Sequence, residues 1–312
     1  MNTTHKRIVL TGATGLIGTK LFSALRERGY ELVIFSRNPV KARATLPGAA
    51  EYVAWSPTES GPWATAIDGA HAVIHLAGAP IAQGLLGVRW TPEYKQEILN
   101  SRVIGTRGIV NAIAAAEQRP AVLVNASAIG YYGYRDDTPL DESAPPGRDF
   151  VAEVCIAWER EAARAEEHGV RVALIRTGIV LDPERGALAQ LLLPFRLRTG
   201  GPIMPGTQYY SWIHPDDEIG ILLLALEDER VRGPINATAP NPLTNRAFCE
   251  TLGEVLGSPS WLPVPEFTLR IALGEMADLV TRGQRVLPKR ALELGYSFRF
   301  PTLKPALQDL LT

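Results

Sequence analysis

Three glycines near the N-terminus have the spacing that binds a dinucleotide. The apolar run RIVLTG leads directly into Gly12, Gly15 and Gly18, and a helical pattern follows. Glycine at these points permits a tight turn, lets backbone N–H groups approach a pyrophosphate, and lets the helix pack closely on the strand. A strand, a glycine turn and a helix at the start of an alternating chain therefore predict a dinucleotide-binding site.

The end of the next apolar run selects between the two common dinucleotides. An acidic residue there, about 20 residues beyond the glycines, accepts hydrogen bonds from a ribose 2′-hydroxyl and favours NAD. This chain instead has Ser36 and Arg37. Because a guanidinium neutralises a 2′-phosphate and a hydroxyl donates to it, we expect NADP(H). The alternative interpretation of Arg37 is a solvated loop charge.

Five short apolar runs must position these residues. RIVLTG, ELVIFS, HAVIHLAG, AVLVNAS and RVALIRT are rich in β-branched residues and alternate with helical patterns. One helix should run from about Thr91, with Pro92 in its first turn, to about Glu117, and another should end before Gly29. The alternation predicts an α/β protein with a doubly wound parallel sheet of the Rossmann type.

The character of the sequence changes after about Leu181, where segments rich in Gly, Pro and aromatic residues break up the helical patterns. We therefore predict an NADP-binding Rossmann domain and a smaller C-terminal substrate lobe. The Rossmann domain covers residues 1–180, with 215–240 returning to it, and the lobe is built from 181–214 and 241–312.

The bulk composition is that of an ordinary globular protein, with a net charge of −1 and two cysteines, Cys155 and Cys249. Without a basic excess, neither nucleic acid nor a membrane surface is expected as a main partner. His71 and His75 would share a strand face but lie about 13 Å apart, so they cannot chelate one ion. We expect a cytoplasmic monomer or homodimer that binds a small-molecule substrate and no metal.

Several motifs together resemble one family, the extended short-chain dehydrogenase/reductases of the NAD(P)-dependent epimerase/dehydratase type. TGATGLIG resembles their cofactor loop, HLAG at 75–78 the strand end beneath the adenine ribose, and SAIGYYG at 127–133 their serine strand. SWIHPDD at 211–217 resembles the segment that returns from the substrate lobe. WTPEYKQEILNSRVIGT, FVAEVCIAWE and GQRVLP are similar to an atypical subgroup called epimerase family proteins. The resemblance covers essentially the whole chain.

The resemblance also implies a catalytic triad that this chain lacks. In the family a Ser or Thr, a Tyr and a Lys cooperate: the phenol exchanges a proton as hydride moves, and the lysine lowers the phenol's pKa. Aligned on Glu159, the tyrosine slot falls on Val151 and the lysine slot on Cys155, and no Tyr-x-x-x-Lys occurs elsewhere. The serine slot becomes Ala128, one residue after Ser127. Valine carries no proton, and a thiol is a poor substitute for an ammonium group.

The predicted catalytic residues are therefore Ser127, Tyr131 and Arg102, with Tyr131 as the acid and Arg102 near enough to favour its anion. For Tyr132 a packing role is at least as well supported. Cys155 lies on an apolar helical stripe and is expected to be a small buried hydrophobe rather than a nucleophile.

Other residues are predicted to bind ligands or to support the fold. The predicted cofactor contacts are Gly12, Thr14, Gly15, Leu16, Ile17, Gly18, Ser36, Arg37, Leu76, Ala77, Gly78, Arg102, Ser127 and Gly178. The predicted substrate contacts, on the loop from Gly200 to Trp212, are Met204, Gln208, Tyr210 and Trp212. His214 is expected to be structural, and Asp217 to cap the helix that follows it.

Two classes of function remain open. An NADP(H)-dependent oxidoreductase or epimerase-like enzyme with a non-standard proton donor would explain the intact cofactor loop and the elaborate second lobe. A catalytically silent NADP(H)-binding sensor or regulatory protein would explain the loss of all three triad positions. A standard nucleotide-sugar epimerase is less well supported, because its chemistry requires the missing tyrosine.

Overall fold

The computed structural model describes residues 6–82 and 89–311, so the predicted domain ranges include positions 1–5, 83–88 and 312 that lie outside the described residues. The strands, in chain order, are β1 (Arg7–Thr11), β2 (Glu31–Ser36), β3 (Glu51–Ala54), β4 (Ala72–His75), β5 (Val122–Ala128), β6 (Pro139–Leu140), β7 (Arg171–Thr177), β8 (Ile179–Val180), β9 (Tyr209–Tyr210), β10 (Trp212–Ile213), β11 (Gly233–Ala237), β12 (Leu243–Thr244) and β13 (Arg285–Val286).

Helices connect these strands and form much of the C-terminal region. They are α1 (Leu16–Glu27), α2 (Pro39–Thr45), α3 (Pro92–Ala115), α4 (Phe150–Ala163), α5 (Gly186–Arg196), α6 (Pro215–Glu227), α7 (Asn245–Leu256), α8 (Glu266–Leu273), α9 (Asp278–Thr281), α10 (Lys289–Glu293) and α11 (Leu303–Leu311). Short 3₁₀ segments cover Pro62–Ile67, Ile129–Tyr132, Arg164–His168 and Gly274–Ala277. In the described part of the chain no helix is both long and apolar enough to cross a bilayer.

A parallel sheet organises the fold, and within the described residues it has seven strands in the order β11-β7-β5-β4-β1-β2-β3. The predicted doubly wound α/β fold is confirmed, and all five predicted apolar runs are strands of this sheet. The order reverses between β1 and β4. In such sheets a ligand crevice lies at this reversal, outside the carboxyl ends of the strands.

The alternation of side chains along the central strands explains why helices cover both faces of the sheet. Ile8 and Leu10 of β1 are fully buried in one core together with Leu21 of α1 and Leu222 of α6. Val9, between them, is fully buried in the core on the opposite face, which α3 covers. This period of two buries both faces, as a parallel sheet requires. Helices α1 and α6 therefore lie on one face and α3 on the other.

A third apolar core lies in the C-terminal region, where Phe195, Trp212 and Phe248 are almost fully buried in one cluster. Further along the chain, Ala291 and Tyr296 pack instead against the core of the sheet that contains α1 and α6. The predicted lobe range 241–312 thus contributes to two cores. The division of the chain into two domains stays a prediction.

Two helix starts test the predicted caps. Thr91 accepts a hydrogen bond from the Tyr94 N–H at 3.2 Å, and α3 begins at the expected proline. The prediction that Asp217 caps α6 is wrong, because His214 Nδ1 accepts from the Asp216 N–H at 3.1 Å instead. The buried carboxylate of Asp217 accepts from the backbone N–H groups of Arg299 and Phe300 at 2.8 and 2.9 Å. Asp217 therefore fastens the C-terminal segment to the helix that returns to the sheet.

Candidate functional site

A cleft of about 460 Å³ opens where the strand order reverses, at the carboxyl ends of β1, β4, β5 and β7. Two of its sides have contrasting chemistry. The glycine-turn wall consists of Gly12, Gly15, Leu16, Ile17, Gly18, Thr177, Glu218 and Leu222. The α4 wall consists of Ser127, Ala128, Val151, Val154, Cys155 and Trp158. Leu76, Ile81, Arg102, Ile179, Val180, Gly186 and Ala187 are further lining residues.

The glycine turn brings backbone N–H groups to the cleft. Gly12 has a φ of +70°, and a Cβ there would lie 2.8 Å from the carbonyl carbon of Leu76. A Cβ on Gly18 would lie 2.2 Å from the carbonyl oxygen of Gly12, so α1 packs directly on the turn. The helix starts after Gly15 without a side-chain cap and without an acidic residue in its first turn. Such a helix start suits a pyrophosphate.

A buried hydrogen-bond network fixes the neighbouring loop after β4. The hydroxyl oxygen of Thr11 accepts from the Leu76 and Ala77 N–H groups at 3.1 and 3.2 Å, and lies 2.7 Å from Nδ1 of His75. Burial lowers the pKa of His75 to about 3, so the imidazole is neutral at physiological pH. Thr11 and His75 therefore hold Leu76 and Ala77, two predicted cofactor contacts, beside the glycine turn.

The residues that predicted NADP(H) lie at the end of β2, next to the glycine turn. Thr11 pairs with Phe35 in the sheet, so Ser36 and Arg37 are level with the residues that follow Thr11. Ser36 Oγ accepts from the Asn38 N–H at 3.2 Å, and Arg37 is exposed. An exposed cation at this edge can reach a phosphate on the adenine ribose.

On the α4 wall, Val151 and Cys155, which the alignment assigns to the tyrosine and lysine slots, both line the cleft, and both side chains are apolar in character. Val151 is packed against Gly130, where a Cβ would lie 2.4 Å from Val151 Cγ1. Burial, with a contribution from the charge of Glu159, raises the pKa of Cys155 to about 12. Neither Val151 nor Cys155 therefore exchanges a proton near neutral pH.

The remaining polar groups of this wall are bonded to one another. Ser127 Oγ donates to Glu159 Oε1 at 2.6 Å, and Arg176 donates to both oxygens of Glu159 at 2.8 Å. The Arg176 side chain is 4% exposed, and although burial disfavours its charge, Glu159 raises its pKa above the usual value. The hydroxyl hydrogen of Ser127 is thus bonded to a buried ion pair. Ser127 is therefore not arranged to donate a proton to a substrate.

The two tyrosines of the SAIGYYG loop pack on the same arginine. The ring of Tyr131 lies with its centroid 3.5 Å from Arg176 Cζ, and Tyr131 is not among the described residues that line the cleft. Tyr132 is fully buried and donates to Asn236 Oδ1 at 2.7 Å, and burial raises its pKa to about 12. The packing interpretation of Tyr132 fits this arrangement. The cation beside Tyr131 is Arg176, and the expected partner Arg102 lies elsewhere.

Arg102 lines the cleft, but backbone acceptors engage it. It donates to the carbonyl oxygens of Ala79 and Ile98 at 3.0 and 3.1 Å, and its Cζ lies 5.1 Å from the ring centroid of Trp158. A Cβ on Gly78 would lie 3.1 Å from the same Cζ. Arg102 thus joins the loop after β4 to α3 at the edge of the cleft. This position agrees better with the predicted cofactor contact than with activation of a tyrosine.

Sequence reasoning missed one ionisable residue, Glu218 of α6. Its side chain is 1% exposed, Oε1 accepts from Thr177 Oγ1 at 2.8 Å, and Oε2 has no hydrogen-bond partner among the described residues. Burial raises the pKa of Glu218 to about 8, so the carboxyl is largely protonated at pH 7. The signal was present in the sequence, because Glu218 shares an i, i+4, i+7 stripe with Leu222 and Ala225, which are buried.

The four predicted substrate contacts lie outside the described lining of this cleft. Tyr210 and Trp212 are buried in the third core, and Trp212 Nε1 donates to the carbonyl oxygen of Asn241 at 3.2 Å. Direct substrate contact is therefore not supported for these two residues, because aromatic side chains there fill the lobe core. Gln208 Nε2 donates to backbone carbonyls, whereas Met204 is 39% exposed.

Gly178, a predicted cofactor contact, also has a structural explanation. A Cβ there would lie 2.4 Å from the carbonyl oxygen of Ser211 and 2.9 Å from Thr238 Cγ2. Its N–H donates to the carbonyl oxygen of Ala237 at 2.9 Å. Its neighbours Thr177 and Ile179 line the cleft. Gly178 thus allows the chain to leave β7 in contact with the returning segment.

The chain is similar over almost its whole length to known proteins. Residues 8–237 match the NAD dependent epimerase/dehydratase family, and residues 264–310 match a domain of unknown function (DUF1731). The chloroplastic SDR39U1 homolog of Arabidopsis thaliana, named an epimerase family protein, is 43% identical over 97% of this chain and 86% of its own length. The epimerase family protein YfhF of Bacillus subtilis is 38% identical over 97% of both chains.

One solved structure supplies a ligand for comparison. The human epimerase family protein SDR39U1, isoform 2, was crystallised with NADPH. It is 34% identical, covers 97% of this chain and 98% of its own, and superposes with a TM-score of 0.85. The glycine turn, the strand order and these matches agree with the predicted extended short-chain dehydrogenase/reductase fold. The chain belongs to the NAD dependent epimerase/dehydratase family.

Proposed function

We propose that this protein is an NADP(H)-dependent oxidoreductase that acts on a small, partly apolar molecule. The cofactor part of the proposal rests on the glycine turn, the uncapped start of α1 and the exposed cation at Arg37. The NADPH in the human relative supports the same choice of dinucleotide. The observation that carries the proposal is the cleft itself, because it joins a phosphate-binding turn to an apolar α4 wall in one space.

Each wall has a distinct role in this proposal. Backbone N–H groups after Gly12 and Gly15 bind the pyrophosphate, and Arg37 with Ser36 binds the 2′-phosphate. The bound nicotinamide supplies or accepts a hydride. The side chains of Val151, Val154 and Trp158 exclude water from the reacting region, which strengthens electrostatic interactions there.

Proton transfer is the step in which this cleft departs from the family pattern. At the tyrosine and lysine slots, Val151 and Cys155 offer no group that titrates near neutrality, and Ser127 is bonded to Glu159. Tyr131 packs on Arg176 and is not among the described residues that line the cleft, so we do not propose it as the proton donor. We infer that the substrate is reduced or oxidised without the tyrosine acid of the family, and that its proton comes from another group.

A second candidate function is a catalytically silent NADP(H) sensor. Val151 and Cys155 at the two aligned slots favour it, because the proposed cofactor contacts require no titrating group at either position. The expected cytoplasmic location and the monomeric or dimeric state remain predictions, and the Arabidopsis relative is named as chloroplastic.

Single-turnover oxidation of NADPH separates the two candidates. Protein loaded with NADPH is mixed with fractionated metabolite extracts, and loss of the nicotinamide absorbance is followed. Gly18→Val serves as the control for reaction outside the cleft. Oxidation that depends on a fraction and disappears in Gly18→Val supports the enzyme. Tight NADPH binding without oxidation in any fraction supports the sensor, and equal oxidation in both proteins rejects the proposed site.

A further inference from the structure

The glycine-turn wall contains an acid that the family triad does not include. We propose that Glu218 is a cofactor-binding residue whose protonated carboxyl donates a hydrogen bond from Oε2 to the pyrophosphate of NADP(H). This inference rests on the proposed function, because it requires NADP(H) in the cleft. It adds a contact from α6 to those of the glycine turn.

The position of Glu218 supports this contact. Glu218 lies in the first turn of α6, and Leu16 begins α1; the two helices pack side by side on the same face of the sheet. Both residues line the cleft together with Gly12 and Gly15. An acid at this position therefore faces the same region as the uncapped N–H groups of α1.

One buried carboxyl oxygen of Glu218 makes no hydrogen bond among the described residues. Thr177 donates to Oε1 at 2.8 Å, whereas Oε2 has no partner in the part of the chain that the structure describes. A buried polar atom without a partner is costly, so such an atom beside a ligand cleft points to a ligand that satisfies it. A phosphate oxygen is an acceptor only, and a protonated carboxyl supplies the matching donor.

Among the described residues, charged groups on the same side of the cleft do not provide a counter-ion for Glu218. On α6, His214 and Asp217 flank Glu218, and burial lowers the pKa of His214. From the C-terminal segment, Tyr296 Oη lies 3.1 Å from Asp217 Oδ1, and burial followed by the charge of Asp217 raises the pKa of Tyr296. None of these three neighbours supplies a positive charge that would stabilise the ionised form of Glu218, so burial keeps its pKa raised.

The described residues on the other sides of the cleft also provide no counter-ion for Glu218. Arg102 donates to two backbone carbonyls. Arg185, just before α5, is exposed, and its side chain is not among the described lining residues. Burial is the main cause of the shift of the Glu218 pKa to about 8, with Thr177 lowering it in part. A nearby pyrophosphate would raise this pKa further, because two negative charges repel each other.

The proposal makes cofactor affinity depend on pH with a definite sign. Below about pH 8 the free protein already carries the proton, so the contribution of Glu218 to affinity does not change with pH there. Above that pKa the protein must take up a proton to bind, and the dissociation constant should rise by up to about tenfold per pH unit. Glu218→Gln keeps an N–H donor and does not titrate, so its profile should be flat over the same range.

The experiment measures binding by nicotinamide fluorescence between pH 6 and pH 10, using NADPH and, by competition, 2′-phospho-ADP-ribose. The second probe has the pyrophosphate but no nicotinamide. Glu218→Leu tests loss of the donor and should bind both probes about 10- to 100-fold more weakly at pH 7. Glu142→Gln is the matched control, since Glu142 is a buried acid with a raised pKa outside the cleft. Circular dichroism confirms folding of each variant.

The outcomes separate this inference from the proposed function. An alkaline loss of affinity for both probes that Glu218→Gln abolishes and Glu142→Gln retains supports the contact. Tight NADPH binding with the same pH profile in Glu218→Gln overturns the contact but leaves the proposed function. A pH effect seen with NADPH alone overturns the assignment to the pyrophosphate. Failure of the wild-type protein to bind either probe overturns both proposals.

Discussion

The two walls of the cleft satisfy their polar groups in opposite ways. On the α4 wall, Ser127 is bonded to Glu159, which is bonded in turn to Arg176, and the other lining groups are apolar. On the glycine-turn wall, the start of α1 is uncapped and Glu218 Oε2 has no partner among the described residues. The glycine-turn wall is thus prepared to bind a ligand. The α4 wall has its own partners for the polar groups of Ser127 and Glu159.

Two of the buried glutamates, Glu159 and Glu218, show the same contrast. Glu159 has a bidentate arginine and a hydroxyl as partners, whereas among the described residues the Glu218 carboxyl bonds only to the hydroxyl of Thr177. An ion pair keeps a carboxylate charged when it is buried, but burial without a cation favours the neutral acid. The comparison shows apolar side chains at Val151 and Val154 on one wall and a buried acid, Glu218, on the other.

The largest expected effect comes from closing the glycine turn. Gly18→Val should weaken NADPH binding by about 100-fold or more, because even a Cβ would lie 2.2 Å from the Gly12 carbonyl oxygen and would push α1 off the turn. Fluorescence titration measures the affinity, and thermal unfolding checks the fold. A folded variant that binds NADPH within threefold of wild type would show that this wall is not the binding site.

Breaking the ion pair of the α4 wall should affect stability. Glu159→Gln should lower the free energy of unfolding by about 3–5 kcal/mol, because Arg176 is left buried without its counter-ion. Glu254→Gln is the control, since its pair with Lys304 is exposed on both sides and should contribute at most about 1 kcal/mol. Urea denaturation measures both. Equal losses in the two variants would contradict the structural role of the buried pair.

A third effect follows from the raised pKa of Glu218. The Glu218 pKa is raised from 4.5 to about 8, so the folded protein holds a proton that the unfolded chain releases. Stability from this group is present below pH 4.5 and should fall by about 1.4 kcal/mol per pH unit toward pH 8. Glu218→Gln should remove that slope in urea denaturation between pH 5 and pH 8. Parallel profiles would mean that Glu218 is ionised in the folded protein.

The smallest expected effect is at Tyr131. Tyr131→Phe should leave single-turnover NADPH oxidation within about twofold of wild type, because the ring packs on Arg176 and does not line the cleft among the described residues. The hydroxyl is the only group removed, so packing on the arginine is retained. A tenfold slower oxidation would restore this tyrosine as a proton donor and would contradict the contrast between the walls.

The sequence predicted the strands of the sheet and the glycine turn between β1 and α1, because local patterns encode them. The strands that precede Gly12 and Leu76, and the strand that contains Ser127, are apolar runs in the sequence. The spacing of the glycines specifies the turn without long-range information. The Thr91 cap and Pro92 likewise fixed the start of α3. Each of these features depends on residues that are close together in the chain.

The sequence predicted side-chain partners poorly, because tertiary contacts decide them. Arg102 was the expected cation beside Tyr131, and only the three-dimensional arrangement shows that Arg176 lies on Tyr131 while Arg102 donates to Ala79 and Ile98. Aspartate is a common helix cap, yet the carboxylate of Asp217 accepts hydrogen bonds from the backbone N–H groups of Arg299 and Phe300. Trp212 lies in a Gly- and Pro-rich stretch of the sequence, but its side chain is buried in the third apolar core.

A competitive titration of NADPH against NADH at pH 7, on the wild-type protein and on Arg37→Ser, tests whether the cleft selects NADP(H) through Arg37. We expect one binding site in which NADPH binds about tenfold or more tightly than NADH, with the preference lost in Arg37→Ser because the 2′-phosphate loses its cation. NADH affinity should be unchanged in the variant. Equal affinities for the two dinucleotides in the wild-type protein, or binding of neither, would contradict the account.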